Sequence, residues 1–156
     1  MLQPNKKSKP AKINATIAIV ASRYNARYVD AMLRAAQGEL KRAGAKVLIV
    51  RVPGAYEIPV VAAKLARTAT PPLAGIICLG VILRGATTHA QHIGEAVSDA
   101  LVQIQIQHEI PVIHEVLLLE NEDQARVRCL DPKHNRGLEA AQTAVEMARV
   151  MKSLRD

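Results

Sequence analysis

The sequence predicts an α/β fold built on a parallel sheet, and three observations carry that reading. Four short apolar runs punctuate the chain: Thr16–Ala21, Lys46–Val52, Ala74–Leu83 and Pro111–Leu119. Three of them are nearly continuous rather than alternating, as expected of strands covered on both faces. Segments of helical length and period separate the runs, so strand and helix alternate along the chain. The 156 residues are 49% hydrophobic and 22% charged, enough to bury one core and too apolar for a disordered chain.

The first run, TIAIVA, leads into a helix over Arg27–Ala43. There Val29, Met32, Leu33, Ala36 and Leu40 recur at helical spacing, and Gly44 stops it. The second run, KVLIVRV, is followed by a Pro-Gly turn and a helix over Glu57–Thr68, which Pro71-Pro72 closes. The third run, AGIICLGVIL, precedes a longer amphipathic helix over His89–Glu109 with Ile93, Val97, Ala100, Leu101, Ile104 and Ile106 as its apolar residues. Pro111 opens the fourth strand. A short helix over Asn121–Arg128 and a final one over Asn135–Leu154 complete the chain. No repeat or interdomain linker interrupts this order, so residues 15–156 are expected to form a single domain behind a flexible basic leader, residues 1–14.

Composition narrows the function. The formal charge is +7, but residues 1–14 alone contribute Lys6, Lys7, Lys9 and Lys12 with no acid. The body is only mildly basic and lacks a cationic stripe interleaved with aromatics, so nucleic acid is not an expected partner. No apolar stretch reaches the roughly 20 residues of a membrane span, and no apolar segment follows the basic leader as in a secretory signal. Cys78 and Cys129 form neither a CxxC pair nor a metal set with histidine, which suits a reducing, cytoplasmic setting. His89 and His92 share a helix face, but no third ligand completes a set, so no metal is expected.

Ligands of open parallel sheets lie beyond the carboxyl ends of the strands. That rule selects Ser22–Asn25, Pro53–Glu57 and Arg84–His89, together with the segment after Leu119. With three tyrosines and no Phe or Trp in the chain, it matters that Tyr24 and Tyr56 fall in these ends, where a ring can stack on a heterocycle. RGATTH joins a glycine, two hydroxyls and a histidine at a helix start. Free N–H groups there suit a phosphate, and a histidine can move protons. Helix capping by a threonine beside a bystander histidine explains the same residues, as an ordinary helix-opening carboxylate explains Glu57.

Taken together, SRYN, VPGAYEIP, GVILRGATTH and NRGLEAA, running from about Ile17 to Leu154, resemble the lumazine synthase family. The resemblance implies a flavodoxin-like three-layer α/β/α fold with a four-stranded parallel sheet. It implies condensation of 5-amino-6-(D-ribitylamino)uracil with 3,4-dihydroxy-2-butanone 4-phosphate, releasing phosphate and water without a cofactor. It also implies pentamers, in some relatives twelve of them in a 60-subunit shell, with active sites between neighbouring subunits and riboflavin synthase as a further partner. By position, Tyr24 matches the aromatic that stacks on the pyrimidine. Ala55, Tyr56 and Glu57 match the segment holding the ribityl chain and ring, and Val81, Ile82 and Leu83 the strand that binds the uracil edge. Ala86 and Thr87 match the phosphate loop, His89 the proton donor and Arg128 the cation that closes on the phosphate.

Several positions depart from the family pattern. Ala90 and Gln91 replace the usual aromatic and Asp after the histidine. His114-Glu115 replace a Phe and a small residue in the fourth strand; His114 is expected to face the pyrimidine and Glu115 the opposite side. Cys129–His134 replace a Gly-Thr-Lys turn, and Arg136 stands where Lys is usual. A flavin-binding electron carrier would need a hydroxyl-rich phosphate loop where SRYN stands, and a response-regulator module would need clustered acids there. The alternative within the resemblance is a diverged paralogue that binds flavin or lumazine without catalysis.

Overall fold

A computed structural model of the chain describes residues 3–5 and 11–155. Strands β1 (Thr16–Ser22), β2 (Lys46–Val52), β3 (Gly75–Leu83) and β4 (Val112–Leu119) alternate with α1 (Ala26–Arg42), α2 (Ile58–Thr68) and α3 (His89–His108). Helices α4 (Glu122–Ala125) and α5 (Arg136–Ser153) follow β4. All strand pairs are parallel, in the order β2-β1-β3-β4. The predicted three-layer α/β architecture is the one the chain adopts.

The sheet faces divide the apolar residues into two cores. Ile17, Ile19, Ile77 and Leu79 pack with Met32 and Leu40 of α1 and with Ala141 and Val145 of α5. Ala18, Val20, Ile76 and Cys78 pack on the other face with Ile58 of α2 and with Val97 and Leu101 of α3. Ile106, counted among the apolar residues of that helix, is exposed instead. The central strands β1 and β3 are almost wholly buried, which is why their sequences run apolar without alternation. β2 is an edge strand and exposes Lys46 and Leu48.

Two predicted helices differ from their sequence outlines. The segment read as one helix from Glu57 opens with a 3-10 turn, Ala55–Glu57, before α2 begins at Ile58. The helix expected over Asn121–Arg128 ends at Ala125 and widens into a π turn, Arg126–Leu130. Asn135 accounts for the break before α5. Its Oδ1 accepts from the Gly137 and Leu138 N–H groups, while its Nδ2 donates to the Cys129 carbonyl at 2.7 Å. The side chain therefore caps α5 and ties down the π turn together.

Of the leader, residues 1–2 and 6–10, with Lys6, Lys7 and Lys9, lie outside the described residues. Asn5 meets the turn before α5: its N–H donates to the Lys133 carbonyl at 2.7 Å and its Nδ2 to the Asn135 carbonyl at 3.0 Å. No helix among the described residues is long and apolar enough to cross a membrane.

Candidate active site

The carboxyl ends of β1, β2 and β3 open into a cleft of about 920 Å³. Tyr24 and Asn25 line it after β1, and Gly54–Glu57 after β2. Val81–Leu83 supply the β3 wall, and His89, His92 and Ile93 the start of α3. Tyr24 and Tyr56 are 69% and 65% exposed, so each ring offers a free face rather than core packing.

Local chemistry places these groups. Arg51 reaches across from β2 and donates to the carbonyls of Ala21 and Ser22 at 3.2 and 2.9 Å, and it pairs with Asp30 at 2.8 Å. That fixes the end of β1. The N–H groups of Arg23 and Tyr24 then donate to the Pro53 carbonyl at 3.1 and 3.0 Å, joining the two ends that carry the tyrosines. Asn25 adopts the left-handed conformation (φ 57°), which asparagine tolerates better than most residues, and its Nδ2 donates to the Val81 carbonyl at 2.7 Å. One lone pair of that carbonyl is thus already used within the chain.

The PGAYE motif has a steric reason. A Cβ on Gly54 would lie 2.8 Å from the Tyr24 ring and 3.1 Å from a Glu57 oxygen, so a side chain there would displace the ring. The Gly54 N–H donates to Glu57 Oε2 at 3.1 Å, leaving the other carboxylate oxygen for a ligand N–H or hydroxyl.

Ala86 and Thr87 are exposed in the loop leading to α3 and do not line the cleft, although the chain delivers His89 into it two residues later. Thr87 Oγ1 accepts from the His89 N–H at 3.3 Å. Arg84 braces the loop by donating to Glu120 at 2.8 Å and to Gln91 at 3.0 Å, which gives Gln91 a structural role.

Three further predicted residues stand apart from this cleft. His114 lies on edge strand β4, where its ring meets Ser98 of α3 rather than the tyrosines. Arg128 sits half-buried in the π turn, with no ion pair or hydrogen bond among the described residues. Arg136 is engaged: it forms a two-pronged pair with buried Glu115 at 2.9 and 3.1 Å and bonds Glu139 at 2.8 Å. Burial pushes the Glu115 carboxyl up, against the pull of Arg136. Among the described residues no group of three His, Cys, Asp or Glu side chains is placed to hold a metal ion.

Sequence reasoning missed Arg51 and Ser98, and it placed Asn25 at a strand end without its bond to the Val81 carbonyl. Each acts across the chain, through a carbonyl or ring that no local pattern foretells.

Comparison with known proteins gives one answer. The family model described as 6,7-dimethyl-8-ribityllumazine synthase matches residues 14–152. Proteins of that name from Stenotrophomonas maltophilia strains R551-3 and K279a are each 37% identical over 144 residues, 90% of this chain and 92% of theirs. Among solved structures, a de novo designed Rossmann fold protein is similar at 15% identity and a TM-score of 0.36, over 73% of this chain and 91% of that one.

Proposed function

The chain belongs to the 6,7-dimethyl-8-ribityllumazine synthase family, and on that premise we propose how its residues divide the work. The enzyme is a transferase of riboflavin biosynthesis that condenses 5-amino-6-(D-ribitylamino)uracil with 3,4-dihydroxy-2-butanone 4-phosphate. An amine attacks a ketone, water leaves, phosphate is eliminated and the ring closes.

In our reading the pyrimidine stacks on Tyr24 in the cleft. The free Glu57 oxygen and the backbone of Ala55 and Tyr56 take the ribityl chain and ring, and the backbone of Val81, Ile82 and Leu83 takes the uracil edge. The phosphate rests on the N–H groups of Ala86 and Thr87 in the loop just before α3, beside an electropositive helix end. Arg128 supplies the pairing charge and stabilises phosphate as it leaves. Holding both substrates in one cleft is worth up to about 7–11 kcal/mol, and acid–base help from His89 adds on the order of 10²–10⁴-fold. Arg136 belongs to the frame in this scheme, because its guanidinium is taken up by Glu115 and Glu139.

The observation that carries this reading is the single cleft shared by Tyr24, Tyr56, Glu57, Val81–Leu83 and His89. Arg128 and His114 lie outside that cleft, and we infer that they complete the cleft of a neighbouring copy. The assembly we propose is a closed pentamer. The short turn between the π segment and α5 leaves room for twelve pentamers to join as a 60-subunit shell, with riboflavin synthase as the partner that consumes the product. Two unpaired, buried cysteines, Cys78 and Cys129, favour the cytoplasm.

Mixing the purified protein with both substrates tests the reading. Growth of lumazine absorbance and fluorescence with release of one phosphate per product is the expected result. Tight lumazine binding without turnover would replace it with the non-catalytic alternative.

A further inference from the structure

His114 is held by a chain of hydrogen bonds whose direction can be read atom by atom. The Val116 N–H donates to Nδ1 at 3.1 Å. A backbone N–H can only donate, so Nδ1 carries a lone pair and the proton of the neutral ring is on Nε2. Nε2 lies 2.8 Å from Ser98 Oγ, and the Ser98 hydroxyl gives its own proton to the Gly94 carbonyl at 2.8 Å. Each donor in the chain meets one acceptor. The opposite tautomer would set two N–H groups against each other at Nδ1. An imidazolium would keep the Ser98 bond and lose the one from Val116.

The surroundings favour the same uncharged state. Glu115 turns to the other face of β4 and pairs with Arg136 of α5. On β3, the residue in register with His114 is Cys78, a buried thiol pushed up to about 12. On α3, Glu95 accepts a hydrogen bond from Gln91, and Asp99 is exposed. Burial is the influence that sets the ring's basicity, and it lowers it; no ionic group offsets this.

We propose that Ser98 is a positioning residue for this reaction: it accepts from the Nε2–H of the neutral His114 ring that Val116 selects and locks that ring in one orientation, so that it presents a flat uncharged face to the pyrimidine. This rests on the assignment of His114 to a neighbouring copy's site, whereas the Ser98–His114 bond does not depend on it. A flat neutral ring is what a heterocycle stacks on, and a ring held by two bonds loses little freedom when the substrate arrives.

The test joins nitrogen NMR of the histidine rings with steady-state kinetics of the assembled enzyme. Wild type is expected to show His114 as the Nε2–H tautomer at neutral pH. Ser98→Ala should keep the tautomer, shift the His114 Nε2–H resonance as its acceptor is lost, and raise KM for the ribityl pyrimidine about 2- to 10-fold, the worth of one neutral hydrogen bond, with KM for the butanone phosphate unchanged. Ser98→Thr should restore both readouts. In a His114→Phe background, which needs no orienting bond, Ser98→Ala should have no further effect on the pyrimidine KM. An unchanged His114 Nε2–H resonance in Ser98→Ala overturns the proposal. A shifted resonance with an unchanged pyrimidine KM overturns instead the placement of His114 at the substrate. The same rise in pyrimidine KM in the His114→Phe background would overturn the proposal by showing that Ser98 acts by another route.

Discussion

Arg128 is the side chain on which the phosphate assignment turns. It stands half-buried with no ion pair among the described residues, whereas Arg51, Arg84 and Arg136 are all engaged. A guanidinium freed from internal partners is available to a ligand, and a hydrogen bond to a charged group is worth about 1.5–3 kcal/mol. Arg128→Ala should therefore raise KM for the butanone phosphate about 10- to 100-fold and lower turnover, with pyrimidine binding nearly unchanged. Steady-state kinetics with each substrate varied in turn decides it; equal weakening of both substrates would contradict the role. At this scale the sequence was informative where residue type and position coincide, as with Tyr24, Tyr56 and His89 at strand ends. It was silent on the work of Arg51 and Asn25, which is to hold carbonyls of residues far along the chain.

Helix α5 crosses α1 closely enough to exclude a side chain at Gly137. A Cβ there would lie 2.0 Å from the Met32 carbonyl oxygen and 2.5 Å from its carbon, and backbone cannot swing aside as a side chain end can. Gly137→Ala should cost about 1–3 kcal/mol or more by prying α5 from α1, seen as a lower denaturation midpoint. An unchanged midpoint would show that the helices separate without cost. Strand β4 carries a pH dependence of its own. Burial lowers the His114 pKa below the ordinary histidine value of about 6.5. Between the two values the unfolded chain binds a proton that the folded chain refuses, so stability is full above that range and falls as pH drops through it. Denaturation midpoints at about pH 7.5 and 5.5 should differ more in wild type than in His114→Phe; equal differences would mean that the ring is not constrained as described. The strands were legible because two-sided burial makes apolar runs continuous. The π turn was not, because its widening depends on the bond from Asn135 to the Cys129 carbonyl, a contact between turn and cap rather than a local propensity.

For the whole molecule, order of elements and burial pattern determined the fold class from sequence, since a parallel sheet leaves few ways to connect alternating strands and helices. The candidate residues fall in separate places: one cleft gathers Tyr24, Tyr56, Glu57 and His89, while His114 and Arg128 lie elsewhere on the same chain. Residue type and spacing alone could not show where those two act, and only the family resemblance assigned them, because their partners belong to a second copy in the assembly we propose. The direct measurement is subunit complementation. His89→Ala and Arg128→Ala proteins would be dissociated, mixed in equal amounts and reassembled, and lumazine formation compared with each variant reassembled alone. If the cleft takes its histidine from one copy and its arginine from the next, about a quarter of the sites in the mixture regain both, and activity rises well above the average of the two variants. Activity equal to that average, in correctly assembled mixtures, would place His89 and Arg128 in the same site of the same chain and contradict the shared site.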